Sequence, residues 1–156
     1  MKLLIISVGH KMPDWVTTGF DKYAKRMPHE ARIELLEIKP EPRSTGKSVT
    51  QIMAAEAQRI LRAVPQNCLS IVLDEQGTQL TTKQLAAQMQ QWMSAGCDTA
   101  FIIGGADGLH DSVKQAAQQT MALSRLTLPH AMVRVLLVEQ LYRACSLMHN
   151  HPYHRE

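Results

Sequence analysis

Residues 131–149, AMVRVLLVEQLYRACSLMH, read as one helix that is apolar around most of its circumference. Val133, Val135, Leu136, Leu137, Val138, Leu141, Ala144, Cys145, Leu147 and Met148 leave no broad polar stripe, so burial is needed on more than one side. One surface of such a helix has to meet a sheet, and a second subunit is a natural cover for another. Glu139 and Arg143 are four residues apart on it, share a face and can pair. Charges embedded in apolar surroundings are costly unless they are paired or used.

The rest of the chain supplies the sheet. Short apolar runs at 3–8, 33–38, 69–73, 99–103 and 121–128 read as strands, and helical spacing recurs between them. Pro13 opens a helix carrying Trp15, Val16, Phe20 and Tyr23, and a second amphipathic helix covers 49–64. Thr81 or Thr82 caps a helix that ends at Gly96, and another follows at 109–118. Strand and helix alternate throughout, which predicts an α/β domain with a parallel sheet covered on both faces. With 156 residues and 45% hydrophobic content, one domain can bury a core. No apolar run approaches the roughly 18 residues of a membrane span, and the first strand is too short for a secretory segment. A cytoplasmic protein is expected.

Cys68, Cys97 and Cys145 are widely spaced and form no CxxC pair, so they read as small buried hydrophobes. Eleven Lys or Arg face seven acids up to Arg62, against six and seven after it. That mildly basic first half suits an anionic partner such as RNA without requiring one. The segment 39–48, KPEPRSTGKS, is a loop by composition, read first as solvated and second as an RNA-contacting arm.

Ligands of open parallel sheets sit beyond the carboxyl ends of the strands. Three stretches meet that description: 73–75, the glycine loop 104–108, and 123–128. The glycine loop lets backbone approach a ligand, although it matches neither GxGxxG nor a phosphate loop, and it also suits a plain turn. The 123–128 stretch, LSRLTL, offers apolar side chains beside backbone and hydroxyl groups, a wall fit for a flat ring or simply a half-buried strand. The tail, HNHPYHRE, spaces three histidines, but Pro152 breaks the register that metal ligands exploit, so no metal is expected. Tyr153, His154 and Arg155 offer a stacking ring, an imidazole and a guanidinium, a set that suits an RNA base and phosphate.

The stretches VGHKMPDWV, FIIGGADGL, LSRLTLPHAMVRVLLVEQLYRA and NHPYHRE together resemble, over essentially the whole chain, the RlmH family of 23S rRNA pseudouridine N3-methyltransferases in the SPOUT superfamily. The resemblance implies a parallel-sheet SPOUT fold whose C-terminal segment is threaded into a trefoil knot. It implies a homodimer that binds S-adenosylmethionine in that knot. The cofactor contacts would fall at Leu73, Gly104, Gly105, Leu123, Ser124, Arg125, Leu126, Thr127 and Leu128. The implied substrate is a pseudouridine of 23S rRNA within the assembled 70S ribosome, with the ribosome supplying much of the docking surface. Catalytic expectations fall on Arg143, to stabilise charge on the base carbonyls, with Glu139 fixing it. They fall also on Tyr153, His154 and Arg155, reaching the partner's cofactor, with His154 the first candidate for proton acceptor. His130, after Pro129, is read as structural. The competing classes are a ribosome-binding factor without catalysis and a SPOUT enzyme acting on another RNA such as tRNA.

Overall fold

The computed structural model describes residues 1–155. Among them, strands β1 (Lys2–Val8), β2 (Arg32–Ile38), β3 (Cys68–Gln79), β4 (Asp98–Ile103) and β5 (Gln119–Ala122) form one parallel sheet in the order β2-β1-β4-β3-β5. Between and after them run α1 (Asp14–Ala24), α2 (Val49–Ala63), α3 (Thr82–Ser94), α4 (Asp111–Ala116) and α5 (His130–Met148). The α/β parallel architecture is the one expected.

Alternation along each strand sends side chains to two separate cores. Leu3 and Ile5 of β1 join Phe101 and Ile103 of β4 beneath α1, α3 and α5. Leu4, Ile6 and Val8 join Ala100 and Ile102 beneath α2 and α4. Burial on both faces explains why these strands are apolar at nearly every position. Reciprocal capping boxes start α2, from Ser48 and Gln51, and α3, from Thr81 and Gln84.

The apolar circumference of α5 is accounted for largely within one chain. It packs between α1 and α3 while Leu137, Val138, Leu141 and Ala144 bury against the sheet. Met132, 37% exposed, and the half-buried Leu136 mark the strip left over.

One feature of α5 was not anticipated. Arg134 is only 2% exposed, and its guanidinium is held at three points. Nε donates to Ser7 Oγ at 3.0 Å, Nη1 to Glu37 at 2.9 Å, and Nη2 to the Gly9 carbonyl at 3.2 Å. It thus ties the last helix to the carboxyl ends of β1 and β2.

Two expected elements differ. The strand expected over 121–128 ends at Ala122, because the Ser124 hydroxyl accepts the Leu126 amide at 2.9 Å and turns the chain out of the sheet. The strand expected to end at Leu73 continues to Gln79 after an excursion: Leu73 and Thr78 both face Met121 across the β3–β5 ladder. Gly77 permits the return, since a Cβ there would stand 2.8 Å from Met121 backbone. The 39–48 loop is exposed along most of its length, as its composition suggests, with Glu41 the exception. The Glu41 carboxylate is buried and bound by Lys47 and Arg59.

Candidate active site

The carboxyl ends of β3, β4 and β5 surround a cavity of about 890 Å³. That is within the range of small-molecule sites. Leu73, Gly104, Gly105, Leu123, Ser124, Leu126, Thr127 and Leu128 all line it, with Met53, Ile103 and Val133 completing an apolar wall. The three stretches picked from sequence therefore converge on one space. Arg125 stands apart from that lining, its Nε donating to Gln79 Oε1 at 3.0 Å.

The glycine loop folds tightly on itself. Gly108 N donates to the Gly105 carbonyl at 3.0 Å. A Cβ on Gly104 would stand 2.8 Å from the Gly108 carbonyl carbon and 2.9 Å from Leu109 Cγ. Only glycine fits there, and the backbone is left bare toward the cavity. Such a rim, apolar wall opposite exposed peptide groups, fits a flat heterocycle with a polar edge.

Polar contacts fix the rim. Thr127 Oγ1 donates to Glu75 at 2.9 Å, joining the 123–128 segment to the β3 excursion. Lys114 pairs with Asp74 at 2.7 Å, and that bond, with the Gln76 amide, holds the Asp74 carboxyl below its ordinary range against the opposing effect of burial. Arg43 of the 39–48 loop pairs with Asp107 of the glycine loop at 2.6 Å.

A second cluster lies at the other end of α5. Glu139 Oε1 accepts from Arg143 Nε at 2.9 Å and from the Tyr153 hydroxyl at 3.0 Å. The Arg143 guanidinium lies 4.8 Å from the Tyr153 ring centre, and Tyr142 and Tyr23 surround that ring at 4.7 and 6.4 Å. Burial, then bonds to Tyr23 and Glu139, push the Tyr153 hydroxyl well above its ordinary range, so it remains a donor. The hydrogen bond to Glu139 likewise raises the Arg143 guanidinium. His154 Nδ1 is buried without a hydrogen-bond partner, and Arg155 is exposed.

The cavity and this cluster do not meet within one chain. His130 lines the cavity and Arg143 lies thirteen residues further along the same helix, about 20 Å of axial rise. Sequence reasoning did not place Arg134 in its buried anchor or His130 in the cavity lining. Arg134 was legible as a cation on a helix with no polar face, and His130 as the residue joining the 123–128 wall to that helix. Among the described residues, no group of three or more His, Cys, Asp or Glu is placed to hold a metal ion, and no helix is long and apolar enough to cross a membrane.

Comparison with known proteins agrees with the fold. A family model described as "Predicted SPOUT methyltransferase" matches residues 1–154. The chain is 59% identical to "Ribosomal RNA large subunit methyltransferase H" of Nitrosospira multiformis over 155 residues, covering 99% of each. It is 59% identical, with the same coverage, to the protein of that name from Paraburkholderia phymatum. Among solved structures, a probable methyltransferase from Bordetella pertussis Tohama I superposes with a TM-score of 0.57 at 14% identity, over 91% of this chain and 95% of that one. A probable methylase family protein from Haemophilus influenzae Rd KW20 gives 0.53 at 15% identity, over 97% and 69%. At such identity these structures speak to the fold alone.

Proposed function

Because the chain belongs to the RlmH family of SPOUT methyltransferases, we propose that it transfers a methyl group from S-adenosylmethionine to N3 of a pseudouridine in 23S rRNA, acting on the assembled 70S ribosome. The observation that carries this reading is the cavity, where three strand ends converge on a backbone too close-set at Gly104 for any side chain. Leu73 and 123–128 would hold the cofactor's flat ring, and the bare peptides at Gly104 and Gly105 its polar edge. The trefoil knot typical of the family belongs to this reading, with 123–128 as the crossing segment.

When bound, the cofactor supplies an electrophilic methyl on a sulfonium. What the chain adds is alignment, and correct orientation of the reacting atoms can account for much of such a rate. Arg143, kept charged by Glu139, would stabilise negative charge gathering on the base carbonyls. Tyr153 would stack on or bond to the base, with His154 and Arg155 beside it. Since that cluster and the cavity are separated within a chain, the site would be composite in a homodimer: the cavity from one subunit, Arg143 and the tail from the other.

Radiolabelled methyl transfer tests the reading, comparing 70S ribosomes, free 50S subunits, naked 23S rRNA and bulk tRNA, all unmodified. Label confined to 70S ribosomes and mapping to a pseudouridine is the expected result. Label in tRNA would retain the enzyme and discard the substrate. Cofactor binding without transfer, or no cofactor binding at all, would favour a ribosome-binding factor.

Gly104→Ala addresses the pocket directly. Overpacking at this site should cost about 1–3 kcal/mol of stability. Calorimetry should show S-adenosylmethionine affinity reduced at least about tenfold, corresponding to about 1.4 kcal/mol. Wild-type affinity would remove Gly104 from the cofactor site.

A further inference from the structure

The proposed nucleophile is an imide nitrogen that carries a proton, so a base has to receive it. The tail cluster offers poor ones. Tyr153 is held as a donor, Glu139 Oε1 is engaged by both Arg143 and Tyr153, and His154 Nδ1 is enclosed.

The cavity is lined by six titratable side chains: Asp74, Glu75, Asp107, Asp111, Lys114 and His130. Asp74 and Lys114 bind one another, and Asp107 holds Arg43. Glu75 accepts the Thr127 hydroxyl, and Asp111 is exposed at the start of α4. His130 is half-buried, and its ring makes no hydrogen bond to another described residue.

Its surroundings are built around it. His130 is the first residue of α5, following the 123–128 wall by one proline. Gly9 lies against it: a Cβ there would stand 3.7 Å from His130 Nε2 and 3.5 Å from Arg134 Nη2. Arg134, one turn along the same helix, is immobilised by Ser7, Glu37 and the Gly9 carbonyl. The charged neighbours are thus Arg134 on α5 and Glu37 on β2 beyond it. His10 and Lys11 are exposed in the turn after β1, and Asp107 lies in the glycine loop lining the same cavity. Burial first, and the Arg134 charge second, push the His130 imidazole below its ordinary range. At neutral pH it is therefore an uncharged ring with a lone pair available.

Resting on the pseudouridine N3 reading above, we propose that His130 is the catalytic base, taking the N3 proton of the target base at the mouth of the cofactor cavity. The N3–H bond breaks toward the ring nitrogen, and the N3 electron pair forms the bond to the methyl carbon. The methyl–sulfur pair stays on sulfur as a neutral thioether, and the imidazolium returns its proton to water. Arg134 is a positioning residue: it fixes the Gly9 turn against the ring and disfavours a premature positive charge.

His130→Gln keeps a similar volume and a hydrogen-bonding group while removing the base. In the full-length dimer it should lower kcat at least about 100-fold, the scale of general-base catalysis, and leave calorimetric S-adenosylmethionine affinity at the wild-type value. Wild-type kcat/KM should rise with pH through a pKa below the ordinary histidine value of about 6.5. The same pKa should appear for His130 by NMR titration of the enzyme without ligands. That acid limb should vanish in His130→Gln and persist in His154→Gln. An acid limb surviving in His130→Gln, a kcat loss under about tenfold, or a loss confined to cofactor affinity would overturn the assignment. Failure of the wild-type enzyme to methylate any RNA would overturn the parent reading instead, before any variant is compared.

Discussion

A chain lacking residues 153–156 is expected to fold, dimerise and bind S-adenosylmethionine, yet to methylate at least about 100-fold more slowly than wild type. The tail lies against the far end of α5, away from the cavity, so its removal leaves Gly104, Leu73 and 123–128 untouched. The structural loss is the Tyr153–Glu139 hydrogen bond and the ring contacts with Tyr142 and Tyr23. Together these amount to roughly 1–3 kcal/mol. On the composite-site proposal the chemical loss is larger, because the tail would no longer orient the target base at Arg143. Thermal melting, size-exclusion chromatography and methyl transfer separate the two, and normal turnover by the truncated enzyme would remove the tail from the mechanism. Arg143 and Tyr153 touch within one chain, so they should fail as a unit. Complementation therefore needs a pocket variant: heterodimers of Gly104→Ala with the tail-deleted chain should recover one of two composite sites. Verified heterodimers without recovery would argue against sharing.

The second large effect is on stability. Arg134→Met keeps the apolar stem and removes a guanidinium that satisfies the Ser7 hydroxyl, the Gly9 carbonyl and Glu37. Breaking a fully buried pair costs about 3–5 kcal/mol. Glu37 is 40% exposed and can be rehydrated, which moves the expectation toward the lower end. At about 3 kcal/mol the melting temperature should fall by roughly 6–12 °C for a domain of this size. Glu37→Gln, which leaves both buried acceptors served, should cost under about 1 kcal/mol. Melting of Arg134→Met within about 2 °C of wild type, less than 1 kcal/mol, would show that the anchor contributes nothing.

The alternation of strand and helix was legible because parallel strands buried on both faces are continuous apolar runs, as in Leu3–Ile6 and Ala100–Ile103. The cavity was legible because its rim falls at strand ends carrying glycine. What stayed hidden depends on contacts between residues remote in sequence. Nothing near Glu41 announces that Arg59 reaches it, or that Arg43 reaches Asp107. The strand expected over 121–128 failed because the same residues that make a plausible strand also make a serine-closed turn. That His130 lines the cavity stayed hidden because a histidine after a proline carries no local sign of what it faces.

The strand order also sets a timetable for synthesis. Leu3 pairs with Thr99, and Ser7 receives its hydrogen bond from Arg134, 127 residues later. At bacterial-to-eukaryotic elongation rates of about 5–20 residues per second, the inner edge of β1 waits roughly 5–20 s for its neighbour β4 to be made. The face carrying Leu3 and Ile5 waits longer, for α5, the last helix to emerge. A nascent chain of this protein thus keeps apolar strand surface open until residues 130–148 have been made.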